Sequence, residues 1–314
     1  NYRGHRTRDD VPWQQGHELS GVVAAVGDGV SGLAVGQRVG IEAEHLLGCG
    51  ECRWCLAGQY HVCPERGVRH GAKQGSHGFS QYDICVAGNV TPLPDEVSFD
   101  AAALVDCYAC GVHAANRVPD VRGDVVAIIG AGAIAMTLGQ VLKARGAGTV
   151  VLVGTRRQPV DVAIAAGSAD IGVVTSEQDP VGAVIDATDG EGAAVTFETV
   201  GGQTQLIQQA VEMTRRGGVV SVLGLFTKAQ TVDPVVAMEK EISIQWSNSF
   251  STFNGESEFA TALGLIVSGS VDPGLIVTDH FSFDEIGEAF ATADDKRSSG
   301  AIRVMVHPSP DRGD

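Results

Sequence analysis

The sequence lacks the features of a membrane protein and of a nucleic-acid-binding protein. No apolar run approaches the roughly 18–20 residues that a transmembrane helix needs. Basic residues are scarce, because 22 Lys and Arg stand against 38 Asp and Glu, which gives a formal net charge of −16. Such a charge repels phosphate backbones and anionic lipid. We therefore expect neither a nucleic-acid partner nor a membrane partner.

A complete disulfide framework is also disfavoured, because the seven cysteines form an odd number. Four of them, Cys49, Cys52, Cys55 and Cys63, fall within fifteen residues. Clustered cysteines in a large chain of ordinary composition usually indicate metal binding in a reducing compartment. We therefore expect a cytoplasmic protein, and no signal peptide is visible.

The composition is that of a globular protein, with 44% hydrophobic and 19% charged residues. A length of 314 residues is too great for one compact core and suits two domains. The 41 glycines indicate many tight turns or close approaches of the backbone.

The hydrophobic pattern changes near residue 124. Before it, short alternating stretches such as QYDICVAG predict strands joined by turns, and residues 100–116 predict a helix with Asp100 as its N-cap. After it, the strand DVVAIIG, the helix AGAIAMTLGQVLKARG and the strand TVVLVG begin a long alternation of strands and helices. This alternation predicts an α/β fold, a doubly wound parallel sheet with helices on both faces.

A glycine-rich turn, GAGAIA, joins the first of these strands to its helix. It has the G-x-G-x-x-A form of a dinucleotide-binding fingerprint. Gly130 permits the tight turn, and Gly132 lets the backbone approach a pyrophosphate at the positive end of the helix that Ala133 and Ile134 begin. A lone motif of this kind can be a plain turn, but its place between a strand and a helix favours cofactor binding.

The end of the second strand bears on which nicotinamide cofactor binds. NAD sites usually carry Asp or Glu there, to accept hydrogen bonds from the ribose hydroxyls. This chain has Gly154, Thr155, Arg156 and Arg157 instead. No carboxylate would repel a 2′-phosphate, and Thr155 with Arg156 could hold one, although two arginines after a strand can also be merely solvated. The sequence favours NADP(H) over NAD(H).

The clustered cysteines have the spacing C-x2-C-x2-C-x7-C. Four thiolates so placed can close a tetrahedral shell around Zn²⁺ with no open position, which makes a structural site. An iron–sulfur cluster is the rival, but the ferredoxin pattern places its fourth cysteine after three residues. A disulfide-braced lobe is a third interpretation, which the odd count disfavours. Cys85, in the predicted strand QYDICVAG, is expected to be an ordinary buried thiol.

Taken in order, these segments resemble the zinc-containing medium-chain dehydrogenases. GHELSGVVAAVGDGVSGLAVGQRV resembles the Gly-His-Glu block of that family, and the four cysteines match its structural-zinc lobe. GAGAIA matches its Rossmann turn, and SSGAIRVMV resembles its closing strand. The resemblance extends over essentially the whole chain, and ALVDCYACGVHAANR looks closest to the polyol (sorbitol), threonine and formaldehyde dehydrogenase branches.

The resemblance implies a second, catalytic zinc. In this family an early cysteine, the histidine of Gly-His-Glu and an acid or cysteine ahead of the coenzyme domain hold that metal. His17 matches the histidine, Glu18 matches the acid beside the metal, and Asp106 takes the third place, with Cys107 as a less favoured alternative. Relatives carry the early cysteine and a Ser/Thr relay hydroxyl just before a stretch like residues 1–4, so we expect both upstream of Asn1.

The implied reaction transfers a hydride between the nicotinamide ring and a secondary alcohol, polyol or amino alcohol, with zinc as a Lewis acid. Leu223 and Ser249 would line the nicotinamide side, and Arg303 would contact the pyrophosphate. The implied architecture is a mostly-β GroES-like catalytic domain, residues 1–107 and 249–314, interrupted by a Rossmann domain at 108–248. The active site would lie in the cleft between them. Relatives are homodimers or homotetramers, commonly paired through a strand such as EISIQWS.

Two other interpretations stay open. One is a zinc-free quinone or enoyl reductase of the same superfamily, although such enzymes generally lack the four-cysteine lobe and the Gly-His-Glu block. The other is a degenerate homologue that binds zinc and cofactor without catalysis. The individual substrate is not fixed by the fold.

Overall fold

The computed structural model of the chain describes residues 16–42, 48–65 and 78–308. The strands within these ranges are, in chain order, β1 (Glu18–Val22), β2 (Arg38–Glu42), β3 (Val90–Pro92), β4 (Val125–Ile129), β5 (Thr149–Gly154), β6 (Ile171–Val174), β7 (Ala193–Glu198), β8 (Thr214–Val222), β9 (Ser243–Trp246), β10 (Thr252–Phe253), β11 (Glu256–Ser257), β12 (Val277–Ser282) and β13 (Arg303–His307). The α-helices are α1 (Arg53–Leu56), α2 (Phe99–Ala103), α3 (Val105–Asn116), α4 (Ala133–Ala144), α5 (Arg157–Ala165), α6 (Pro180–Asp186), α7 (Ile207–Met213), α8 (Pro234–Glu239), α9 (Glu258–Val267), α10 (Ile286–Asp294) and α11 (Lys296–Ser299). Residues 1–4, which carry part of the family resemblance, lie outside the described ranges.

Internal contacts divide the chain into two compact units. The first contains the described residues up to Asp106, Ser251–Leu263 and the described residues from Val277 onward; the second contains Cys107–Phe250 and Gly264–Ile276. The sequence assigned residues 264–276 to the GroES-like domain, whereas they pack with the second unit. The side chain of Gln140 explains this packing, because it bonds both the N–H and the C=O of Asp272, at 2.9 and 2.8 Å. The predicted domain boundaries themselves stay a prediction.

The second unit is built on a six-stranded parallel sheet with the order β6-β5-β4-β7-β8-β9. Two βαβαβ halves meet between β4 and β7, which is the strand order of a Rossmann fold. The apolar runs of the sequence form its interior, where Ile129, Val151 and Val153 join Ile207 and Val211 of α7 in one buried cluster. This sheet confirms the predicted α/β fold class.

The first unit contains short β-strands and short helices in similar proportion. Strands β1, β2 and β3 form an antiparallel sheet, and β12 and β13 pair in parallel. Arg38 of β2 donates hydrogen bonds to the carbonyls of Pro94 and Val97, at 3.1 and 2.6 Å, and so fixes the chain that leads into α2. Within the described ranges, no helix has the length and apolar character needed to span a bilayer.

Two local predictions are wrong. The stretch QYDICVAG forms no strand, since a strand exists only by pairing and no neighbour pairs with it among the described residues. Tyr82 and Ile84 are 78% and 97% exposed there, and Cys85 is half-buried rather than buried. Residues 100–116 form two helices, α2 and α3, and the N-cap is Ser98, whose Oγ accepts the Ala101 N–H at 3.2 Å.

Candidate metal centres and dinucleotide site

The four clustered cysteines converge around one point in the first unit. None of the four forms a disulfide, and their Sγ atoms lie within 4.8 Å of one another. The Sγ atoms of Cys52 and Cys63 are 3.8 Å apart. Zinc–sulfur bonds of about 2.3 Å at tetrahedral angles separate the sulfurs by about 3.8 Å, so this spacing fits a zinc ion held by four thiolates.

The backbone of this lobe favours negative charge on sulfur. The N–H groups of Cys49 and Cys52 donate to the Sγ atoms of Cys63 and Cys49, each at 3.3 Å. Hydrogen bonds from the N–H groups of Glu51 and Cys52 lower the pKa of Cys49 to about 7, whereas burial raises the pKa of Cys55 to about 12. A cation bound among the four sulfurs would oppose this effect and favour the thiolate of Cys55.

A second group of metal-ligand atoms contains His17, Glu18 and Asp106, which lie within 4.8 Å of one another. His17 Nε2 is 3.8 Å from Glu18 Oε1, and Asp106 is buried in the first turn of α3. The sequence placed these three residues together only through the family resemblance, since Asp106 is remote from the other two along the chain. Cys107, the alternative ligand, belongs to no such group among the described residues.

The chain that presents His17 is held by a close backbone approach. Gly16 has φ +100°, and its carbonyl accepts the N–H of Gly78 at 3.1 Å. A Cβ at Gly16 would lie 2.9 Å from the backbone nitrogen of Phe79. Only glycine fits this position, which makes residue 16 a positioning residue for His17.

Arg303 supplies a positive charge beside this group. Its guanidinium forms an ion pair with Glu18 Oε2, and burial lowers the pKa of Arg303 to about 10, so the side chain stays charged at neutral pH. Two carboxylates, one guanidinium and a neutral imidazole leave a formal charge of −1, which suits a divalent cation. The predicted contact between Arg303 and a cofactor pyrophosphate stays a prediction.

The glycine-rich turn of the second unit follows β4 at the point where the two halves of the sheet meet. Gly130 has φ +127°, and a Cβ there would lie 2.2 Å from Thr199 Oγ1. Gly132 is the N-cap of α4 without a side-chain cap, and a Cβ there would meet no atom within 4 Å. The N-terminus of α4 thus has free space beside Gly132, whereas Ala133 and Ile134 of the first turn are buried and half-buried. A pyrophosphate fits such a place, since ligands of open α/β sheets bind at this switch point and helix N-termini favour anions.

The end of β5 carries no acid, as the sequence predicts. A Cβ at Gly154 would lie 2.6 Å from Val160 Cγ2, so packing alone demands a glycine there. Thr155 is exposed, and Arg156 is the N-cap of α5. Arg157 forms ion pairs with Glu177 and, at 3.6 Å, with Asp161.

The sequence-based interpretation missed Glu198, which ends β7 at the same edge of the sheet. This side chain is fully buried, and its Oε1 accepts the N–H groups of Val200 and Gly201 at 2.8 and 2.9 Å. Its backbone carbonyl accepts the Leu223 N–H at 2.8 Å, so Glu198 ties the turn after β7 to the turn after β8. Burial raises the pKa of Glu198. The signal in the sequence was a single acid at the end of the apolar run AAVTFE.

Ser249, like Leu223, was predicted from the sequence to line the nicotinamide side. It follows β9 and has φ +58°, a left-handed conformation that few non-glycine residues adopt. Its contact with a cofactor stays a prediction, as does that of Leu223.

Comparison with known proteins brings these features together. Residues 1–95 match the family model described as alcohol dehydrogenase GroES-like domain, and residues 133–268 match the model described as zinc-binding dehydrogenase. Sorbitol dehydrogenase of Bacillus subtilis is 31% identical over 303 residues, which are 96% of this chain and 82% of that protein. The chain belongs to the zinc-binding alcohol dehydrogenase family.

Other members are similar over comparable lengths. L-threonine 3-dehydrogenase of Chromobacterium violaceum is 32% identical over 284 residues, covering 90% of this chain and 79% of that protein. A crystal structure from Escherichia coli, described as ECK1772, an oxidoreductase/dehydrogenase of unknown specificity, superposes with a TM-score of 0.84 and 25% identity over 95% of this chain and 84% of that one. The protein is thus an oxidoreductase, a zinc-dependent alcohol or polyol dehydrogenase that uses a nicotinamide cofactor. The predicted family, enzyme class and fold are confirmed.

Proposed function

We propose that this dehydrogenase oxidises a secondary alcohol, polyol or amino alcohol at a zinc ion bound by His17, Glu18 and Asp106. The observation that supports this proposal is the convergence of their ligand atoms within 4.8 Å. When bound, zinc supplies Lewis acidity, and the nicotinamide ring supplies the hydride acceptor. We also assign a structural zinc to Cys49, Cys52, Cys55 and Cys63.

The neighbouring residues orient the proposed ligands. Arg303 binds one carboxylate oxygen of Glu18, while the other oxygen faces His17. Burial of Asp106 in the first turn of α3 restricts its side chain and strengthens its attraction to a cation. These residues therefore set the ligand geometry before substrate arrives.

The test is reduction of NADP⁺ and NAD⁺, followed at 340 nm, over a panel of polyols, secondary alcohols and amino alcohols. We expect His17→Ala and Asp106→Asn to lose at least 100-fold in kcat, together with one zinc per chain, while cofactor binding persists. Turnover by His17→Ala at the wild-type rate would refute the proposed metal site. Cofactor binding with no turnover on any member of the panel would favour the degenerate homologue.

The proposed cofactor preference is NADP(H) over NAD(H), and the end of β5 supports it. Thr155 and Arg156 stand where an acid would otherwise repel the 2′-phosphate. We expect Arg156→Ala to raise the KM for NADP⁺ at least tenfold and to leave the KM for NAD⁺ nearly unchanged. Arg157→Ala is the matched control, because Arg157 already pairs with Glu177. Equal effects of Arg156→Ala on both cofactors would contradict this preference.

We also propose a homodimer or homotetramer that pairs through β9. This strand is the edge of the six-stranded sheet, and its Trp246 is 59% exposed. Exposed edge strands with apolar side chains favour pairing with another chain. Trp246→Glu should lower the mass measured by light scattering, whereas an unchanged mass would exclude this interface.

We also propose a cytoplasmic location, because clustered cysteines that form no disulfide are typical of a reducing compartment.

A further inference from the structure

A third cluster of metal-binding side chains lies in the first unit and shares no residue with the two sites above. It consists of Asp100, His280 and His307, whose ligand atoms lie within 4.8 Å of one another. His280 Nδ1 is 3.2 Å from His307 Nε2. The two carboxylate oxygens of Asp100 lie 3.3 Å from His280 Nδ1 and 3.3 Å from His307 Nε2, respectively.

The pairing of β12 with β13 brings the two histidines together. In the parallel register, His280 is opposite Met305 and Ser282 is opposite His307. Because side chains alternate along a strand, His280 and His307 project from the same face, two positions apart along the ladder. Asp100 comes from the first turn of α2, where the Ser98 cap fixes the start of the helix.

The spacing of the two imidazole nitrogens matches that of neighbouring ligands in a tetrahedral metal site. Zinc–nitrogen and zinc–oxygen bonds of about 2.0–2.1 Å separate adjacent ligand atoms by about 3.3 Å at tetrahedral angles. The two imidazole nitrogens, 3.2 Å apart, agree with that edge length, and each lies 3.3 Å from a different oxygen of the Asp100 carboxylate. The same contacts would also serve a metal-free hydrogen-bonded cluster, so the two interpretations differ only in whether a cation binds.

The donor chemistry and the exposure favour a cation. Two imidazoles and one carboxylate are a common three-residue zinc donor set, which leaves a fourth position for solvent. The side chains of Asp100, His280 and His307 are 28%, 36% and 21% exposed, so an ion can enter and leave without unfolding. A formal charge of −16 also raises the local concentration of divalent cations around the chain.

We propose that Asp100, His280 and His307 form an additional, exchangeable site for one Zn²⁺ ion on the first unit. Binding there joins α2 to the β12–β13 pair, because the ligands come from all three elements. Occupancy therefore raises the thermal stability of the folded protein as zinc concentration rises. The proposal does not depend on the assignment of the catalytic zinc, because the two groups have no residue in common.

The test is calorimetric titration of Zn²⁺ into the full chain that retains its resident zinc after gel filtration in metal-free buffer. We expect the wild-type protein to bind about one further equivalent, and Asp100→Asn, His280→Gln and His307→Gln each to weaken that binding at least tenfold. Asp279→Asn is the matched control, since it removes a neighbouring acid of β12 outside the cluster. It should bind zinc as the wild type does.

Three separate variants protect the test against the misfolding of any one of them, and melting curves without added zinc identify a variant that fails to fold. His17→Ala should retain the additional equivalent, which separates this site from the proposed catalytic one. The proposal is overturned if the wild-type protein binds no further equivalent of Zn²⁺. It is equally overturned if well-folded cluster variants bind that equivalent as tightly as Asp279→Asn does.

Discussion

Alanine substitutions at the two glycines of the dinucleotide turn, Gly130 and Gly132, should impair two different properties of the protein. Gly130 is required by the fold, because its φ of +127° and the nearby Thr199 exclude a side chain. Gly132 has an ordinary extended conformation, with φ −99°, and free space beside it. We expect Gly130→Ala to lower stability and Gly132→Ala to lower cofactor affinity.

The size of the first effect follows from the local geometry. A non-glycine residue at such a φ costs about 1–3 kcal/mol. A Cβ 2.2 Å from Thr199 Oγ1 must displace that hydroxyl, which donates to the Ile129 carbonyl at 2.9 Å, and the lost hydrogen bond costs about 1 kcal/mol. The sum, about 2–4 kcal/mol, corresponds to a Tm lower by roughly 3–6 °C in a protein of this size.

Gly132→Ala should cost only about 0.5 kcal/mol through the weaker N-cap, so its Tm should fall by roughly 1 °C. Its methyl group instead occupies the space that a pyrophosphate needs, and a tenfold weaker Kd corresponds to about 1.4 kcal/mol. Melting curves and fluorescence titration with NADPH measure both quantities on the same samples. Equal destabilisation by the two variants, or wild-type NADPH affinity in Gly132→Ala, would refute this reasoning.

Three further predictions follow from single sites. Gly16→Ala should displace His17 through its clash with Phe79, so turnover and zinc content should fall together; a variant that loses turnover with full zinc content would contradict this. Cys63→Ser should remove one zinc per chain and lower the Tm, and an unchanged zinc content by elemental analysis would exclude the four-cysteine site. Burial raises the pKa of Glu198 in the folded state, so the folded protein binds a proton at this carboxyl group more tightly than the unfolded chain does. The folded state therefore loses stability as pH rises above the usual glutamate pKa. The Tm of Glu198→Gln relative to wild type should therefore rise as the pH rises above the usual glutamate pKa, and a difference independent of pH would contradict that sign.

The features that the sequence predicted well are encoded locally. The four cysteines whose sulfurs converge lie within fifteen residues, and the GAGAIA turn carries its strand and helix with it. Strand β4, helix α4 and strand β5 therefore lie where the alternation of apolar runs places them. Each of these elements depends on hydrogen bonds or ligands supplied by near neighbours, which a spacing pattern can express.

Two short helices, α6 and α8, were not predicted, although the sequence carries a local start signal for each. Helices α6 and α8 both begin with a proline that follows an aspartate N-cap; Asp179 accepts two backbone N–H groups and Asp233 accepts one. Proline at the first helical position and aspartate before it are known start signals. The N-cap of α2 was predicted at Asp100 instead of Ser98. Both side chains can accept a backbone N–H group, and Ser98 lies two residues earlier.

The features that the sequence could not provide depend on pairing between distant segments. The alternation in QYDICVAG is typical of a strand, but no described segment pairs with it, and the pattern does not record the absence of a partner. The cluster of Asp100, His280 and His307 arises only when β12 and β13 align in one register beside α2. A shift of that register by one residue would turn His307 to the opposite face.

The most direct test of the proposed active site is the number of zinc ions per chain in the Asp100→Asn background, where the exchangeable site is disabled. We predict about two zinc ions per chain by elemental analysis, one on the four cysteines and one on His17, Glu18 and Asp106. Adding His17→Ala should reduce the number to about one. A single zinc per chain before that change, or an unchanged number after it, would contradict the assignment of a catalytic zinc to these residues.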